Sequence, residues 1–269
     1  MYNFSEISII THVRLDTTER LRNFFIRENY YRSQCTQIEF VYVEDDTKET
    51  LKDHFDDYPG RKYQFVYNDD EFKKTSSYNI GAKLATRKYF CFLDLDCIIH
   101  PSQILESVEK LKGDENLGLI LPYNGVALYL NDDAKHLFVD HHQSYEILED
   151  MFPKSFDVYY KNDFLLVGNN QAVGGAVMAR KENFEKYNGF NPNFQGWGFE
   201  DNELPRRVHK LGMGVVKLAN IAHVLWHLPH EGKGASNKEH NPYYRKNNQV
   251  CTYVEQCSVE DLKEYIKQW

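Results

Sequence analysis

The chain has few cysteines and sets none of them in a Cys-x-x-Cys pair. The five, Cys35, Cys91, Cys97, Cys251 and Cys257, are odd in number and scattered, which argues against a disulfide scaffold or a zinc knuckle. Cys91 and Cys97 lie inside or beside an apolar run, where cysteine serves as a small hydrophobe. A reducing compartment, the cytoplasm, is the expectation. No apolar run approaches the roughly 18 residues that a membrane-spanning helix needs, which leaves peripheral association as the only membrane role. The stretch MYNFSEISIITHV has neither a basic region nor a long apolar core, so no signal peptide is expected. Basic charge is in deficit: 32 Lys and Arg face 40 Asp and Glu, for a net charge of −8. That argues against a nucleic-acid partner, because counterion release needs a basic face. Internal repeats and low-complexity segments are missing too.

What is present fits a globular chain, with 42% hydrophobic and 27% charged residues. At 269 residues it can bury a substantial core as one large domain. Apolar runs at 7–13, 37–43, 62–67, 89–93, 117–122 and 173–179 read as strands. Helical spacing occupies 17–31, 74–86, 101–112, 134–151, 181–186 and 201–211, and Pro101 suits a first helical turn. Residues 221–228 look strand-like, 232–248 read as a polar loop, and Ser258 with Asp261 looks like a helix start. This alternation predicts an α/β fold, a mixed but mostly parallel sheet flanked by helices. A single domain over 1–269 is expected. Its nucleotide-binding part would be 1–122, its acceptor and catalytic part 123–250, and its C-terminal helix 251–269.

Ligands of open α/β sheets bind at the carboxyl ends of the strands. Asp94 and Asp96 follow one strand, Asp45 and Asp46 end another, and Thr11 and Arg14 close the first. A bare Asp-x-Asp often marks only a solvated loop. This one follows Phe-Cys-Phe-Leu, and buried strands seldom end in two carboxylates without use. Such a pair can hold a divalent cation that bridges a nucleotide diphosphate, and hard oxygen ligands suit Mn²⁺ or Mg²⁺. His227, at a strand end beside Trp226, is placed to add a further ligand, while His223 reads as an ordinary core or surface histidine.

Lys74 opens a helix that carries Asn79 and Gly81, and it can neutralise phosphate. For Lys73 a solvated charge is the plainer reading. Glu200 and Asp201 open another helix, where the helix dipole favours carboxylates. Beyond capping, this pair offers a general base for an acceptor hydroxyl. Trp197 presents a flat apolar wall to a sugar ring, or else core packing. Gly174 and Gly175 permit close backbone approach, or mark a bulge.

Residues 174–213, with Gly174-Gly175, Asn188-Gly189-Phe190, Trp197-Gly198, Glu200-Asp201, Arg207 and Gly212, resemble the C-terminal part of the beta-1,4-galactosyltransferase family. They also resemble bacterial chondroitin-polymerase-type glycosyltransferases. Phe72-Lys73-Lys74 through Asn79-Ile80-Gly81 is similar to the segment before that family's Asp-x-Asp. The resemblance implies a GT-A fold, a Rossmann-like nucleotide-diphospho-sugar transferase, with Mn²⁺ and a UDP-sugar donor. It implies Asp96 and His227 as metal ligands, Asp201 as catalytic base with Glu200 beside it at the acceptor, and Trp197 on the sugar. Glu44 and Asp45 correspond to the acidic pair near the uridine. Phe199 stands where these families carry Gly, Glu44 replaces Asp, and Tyr78 replaces Arg.

The expected activity is inverting transfer of a hexose or N-acetylhexosamine, galactose or GalNAc, from a UDP-sugar to a glycan or lipid-linked oligosaccharide hydroxyl. Bacterial surface polysaccharide synthesis is the expected setting. The rival class is a non-catalytic sugar- or nucleotide-binding subunit of a glycan synthase. Retaining transfer and a zinc hydrolase built on the histidines are further alternatives.

Overall fold

A computed structural model describes residues 1–231 and 240–269. Its centre is a seven-stranded sheet. From one edge to the other the strands are Gly214–Lys217, Leu117–Leu121, Ala176–Arg180, Tyr89–Leu93, Ile7–Val13, Glu39–Asp46 and Arg61–Tyr67. Ala176–Arg180 runs antiparallel to both neighbours, and the other pairings are parallel. Ile9 pairs with Phe40 on one side and Cys91 on the other. The central strands are buried almost throughout, which is why they read as continuous apolar runs rather than alternating ones. The mixed, mostly parallel α/β sheet is as expected.

Helices cover the sheet. The Thr18–Gln34 helix starts at Thr17, whose side chain accepts from Arg20 N, and buries Phe24, Tyr30 and Tyr31. The Lys74–Leu84 helix lies close enough to the sheet that a Cβ at Gly81 would come 2.4 Å from Ile10 Cγ2. This contact sets the depth of Lys74 and Tyr78 at the helix's start. In the Pro101–Gly113 helix, His100 accepts from Ser102 N while Gln103 accepts from His100 N.

A second, four-stranded sheet follows the order Leu165–Asn169, Ala127–Leu130, Leu225–His227, Cys97–Ile98. The sequence pattern does not give this sheet. Its strands are short, and their partners are distant in the chain. The run 221–228 yields a strand only over Leu225–His227. The expected helix 134–151 is two helices, Asp132–Asp140 and Tyr145–Asp150. His142 and Gln143 between them hold φ of 56° and 58°, which no helix continues through, and Ser144 restarts the helix by accepting from Glu146 N.

Of the expected loop 232–248, residues 232–239 lie outside the described residues, and its last part is helical, in Tyr244–Gln256. The C-terminal part holds a second helix, Val259–Tyr265, capped by Ser258, which accepts from Asp261 N at 3.0 Å. The Glu200–Lys210 helix is anchored by Arg207, fully buried. Its guanidinium pairs with Glu203 at 2.6 Å and donates to the carbonyls of Tyr187 and Gly189.

Candidate active site

The site lies where the Tyr89–Leu93 strand ends. Asp94 N donates to Gly175 O at 2.9 Å, and Cys97 N donates to Asp94 O at 3.1 Å. The backbone therefore turns tightly and presents Asp94 and Asp96 in different directions. Asp96 is buried. The second sheet pairs His227 with Cys97 in antiparallel register, and this brings the histidine to the aspartate. His227 Nε2 is 3.6 Å from Asp96 Oδ1, and His230 Nε2 is 2.6 Å from Asp96 Oδ2. Burial by itself would raise the Asp96 carboxyl, but the two imidazoles hold it far below the ordinary carboxylate range.

The donor set of one carboxylate and two imidazoles suits a divalent transition-metal cation. Cys97 Sγ lies within 4.8 Å of ligand atoms of Asp96 and His227, and burial and the adjacent Asp96 push its thiol well up. His230 was not assigned a role from the sequence. It falls after Pro229, outside the strand pattern, and its spacing from His227 was the only available signal.

Asp94 faces the other way, into a cluster built on Lys74. The Lys74 ammonium donates to Asp201 Oδ1 at 3.0 Å and Oδ2 at 3.2 Å. It also lies 3.0 Å from Glu200 Oε1 and 3.6 Å from Asp94 Oδ2. Tyr78 donates to Asp94 Oδ1 at 2.5 Å. Glu200 is nearly buried and also accepts from Gly198 N at 3.0 Å.

Asp201 keeps 34% of its side chain exposed. Partial exclusion of water pushes its carboxyl up, Lys74 pulls it back, and Glu200 and Asp94 raise it again, leaving it at about 7. Gly174 is required by this arrangement, since a Cβ there would stand 2.1 Å from Asp201 Oδ2. Gly175 has φ of 81°, and a Cβ there would come 2.7 Å from Leu225 Cδ1. Tyr123 donates to Gly174 O at 2.5 Å and fixes the same segment.

The chain belongs to glycosyl transferase family 2. The model of that family matches residues 17–187, and a second model, described as the N-terminal domain of galactosyltransferase, matches 163–231. The family 2 match takes in Lys74, Asp94, Asp96, Gly174 and Gly175, while the second takes in Trp197, Glu200, Asp201, His227 and His230. Beta-1,4-galactosyltransferase 7 of Drosophila melanogaster is 26% identical over 172 residues, 58% of this chain and 47% of that protein. The chain thus spans about half the length of that relative.

Two solved structures of Drosophila beta-1,4-galactosyltransferase 7 align over 97% of this chain and 84% of theirs. One is a mutant with manganese, UDP-Gal and xylobiose (TM-score 0.48, 16% identity), and the other is a catalytic domain with xylobiose (TM-score 0.47, 15% identity).

The remaining sequence-derived residues of this family 2 transferase fall into two groups. Trp197 is 43% exposed at the rim, with its ring parallel to that of Tyr244, centroids 6.1 Å apart. Asn241 holds the Trp197 carbonyl at 2.6 Å. Asp45 is buried at a strand end, accepts from Lys73 N at 2.6 Å and pairs with His12 at 3.4 Å. Burial raises its carboxyl, and His12, the Lys73 amide and Asn68 together hold it below the ordinary carboxylate range. Arg14 is part-exposed and donates to Asp70 O at 2.8 Å.

Thr11, Glu44 and Asn79, expected to contact the donor, are instead engaged in holding the fold. Thr11 is fully buried, donating to Leu93 O and accepting from Arg27. Glu44, also fully buried, accepts from Thr50 N, Leu51 N and Tyr63 Oη. Asn79 clamps both backbone groups of Phe190, at 2.7 and 2.8 Å. Their polar atoms are taken up by hydrogen bonds within the fold.

Proposed function

We propose that the protein is an inverting, Mn²⁺-dependent transferase that moves galactose, GalNAc or a related hexose from UDP to a hydroxyl of a glycan acceptor. The observation that carries this reading is Asp201. It is a partly exposed carboxyl near neutrality that shares the Lys74 ammonium with Asp94. A base that titrates near the working pH transfers protons efficiently.

Asp201 would take the proton of the acceptor hydroxyl as its oxygen bonds to the anomeric carbon. The bond from that carbon to the diphosphate oxygen breaks on the opposite face, and the electron pair leaves with UDP. Configuration at the anomeric carbon inverts. Asp96, His227 and His230 would hold Mn²⁺, which when bound offsets charge on the departing diphosphate. Asp45 would meet the base of the nucleotide, and Trp197 the sugar.

The resemblance to chondroitin-polymerase-type enzymes supports a role in bacterial surface polysaccharide synthesis, with a cytoplasmic protein acting on a glycan or lipid-linked acceptor. Among the described residues, no helix is long and apolar enough to cross a membrane. The test is UDP release from a panel of UDP-sugars with oligosaccharide acceptors, with and without Mn²⁺, for wild type and Asp96→Ala. Metal-dependent turnover lost in the variant supports the reading. UDP binding without turnover on any acceptor would favour the binding-subunit alternative.

A further inference from the structure

One ammonium, that of Lys74, meets three carboxylates drawn from two distant parts of the chain. Asp201 and Glu200 come from the start of one helix, and Asp94 comes from a strand end. We propose that Lys74 is a positioning residue for the base, orienting the Asp201 carboxylate and supplying its countercharge. This rests on the reading of Asp201 as base.

The geometry is specific. Both oxygens of Asp201 accept from the same nitrogen, at 3.0 and 3.2 Å, which fixes the carboxylate plane. Lys74 itself has little freedom, with its side chain 11% exposed and its helix pressed on the sheet at Gly81. Among the described residues, the other charged or titratable groups around Asp201 are Glu200 on its own helix, Asp94 from the strand end, and Tyr78 and Tyr123, which sense the Asp201 charge. The first two are acidic and the tyrosines add no positive charge, so among the described residues Lys74 is the cation of this cluster. Without it, Asp201 would face two carboxylates at close range, and the proton would be retained to higher pH.

The experiment follows the Asp201 carboxyl by ¹³C NMR with labelled aspartate across pH, in metal-free protein. Asp201→Asn identifies the signal. Lys74→Met should raise the titration midpoint by about one pH unit or more, and Lys74→Arg should restore it. An unchanged midpoint in a folded Lys74→Met protein overturns the proposal. Should Lys74→Met fail to fold, Lys74→Gln takes its place, with the same readings. The acid limb of UDP release is then measured in the same variants and should move with the midpoint. A midpoint that moves in a protein without transfer on any acceptor would count against the functional reading while leaving the pairing of Lys74 with Asp201 intact.

Discussion

His230 Nε2 sits 2.6 Å from Asp96 Oδ2, closer than His227, which lies 3.6 Å from the other oxygen. The histidine that the sequence left without a role is thus the nearer partner of the aspartate. His230→Ala should weaken Mn²⁺ binding by about tenfold or more, read by calorimetry. Binding unchanged from wild type would remove His230 from the ligand set.

Asp201→Asn keeps the shape of the side chain but cannot accept the proton. Transfer should fall by about 10²–10⁴-fold, while UDP affinity in Mn²⁺ stays near wild type. Parallel loss of both would show that Asp201 serves binding rather than proton transfer.

Gly174→Ala places a methyl group 2.1 Å from Asp201 Oδ2. The carboxylate must move, so transfer should drop markedly. Stability should fall by about 1–3 kcal/mol, the range for overpacking. Thermal unfolding and UDP release on the same sample check both, and full activity would mean that Asp201 can relocate without cost.

The pH dependence has two opposite signs. Asp201 is raised from 3.8 to about 7, so folding favours its protonated form. Its contribution to stability is full below 3.8 and is lost as pH rises through about 7. Catalysis needs the ionised form, so activity should rise with pH through about 7. Asp96 is held below its ordinary 3.8, so its contribution is present above that value and is lost as pH falls. Denaturant unfolding of metal-free protein at several pH values separates the two. Asp201→Asn should shrink the neutral transition, to which His230, lowered by burial but raised above its ordinary 6.5 by Asp96, also contributes, and should leave the acid one.

The strands of the large sheet could be read from the chain because buried parallel strands are continuous apolar runs, and the pattern needs only near neighbours. Asp94 and Asp96 could be read for the same reason, as polar residues that break such a run at its carboxyl end. Asp201 and Glu200 stood out at a helix start.

What the sequence by itself determined was therefore local: which segments extend, which coil, and which carboxylates stand at their ends. The tertiary structure alone decided which of them meet. Lys74 reaches Asp201 across 127 positions, and His227 reaches Asp96 only through its register with Cys97. Thr11, Glu44 and Asn79 occupy positions as promising as Asp45, yet their polar atoms are taken up by the fold. Local spacing carries helix and strand periodicity. It carries neither the pairing of distant short strands nor the direction in which a buried side chain finds its partner, because both are set by packing between segments far apart in the chain.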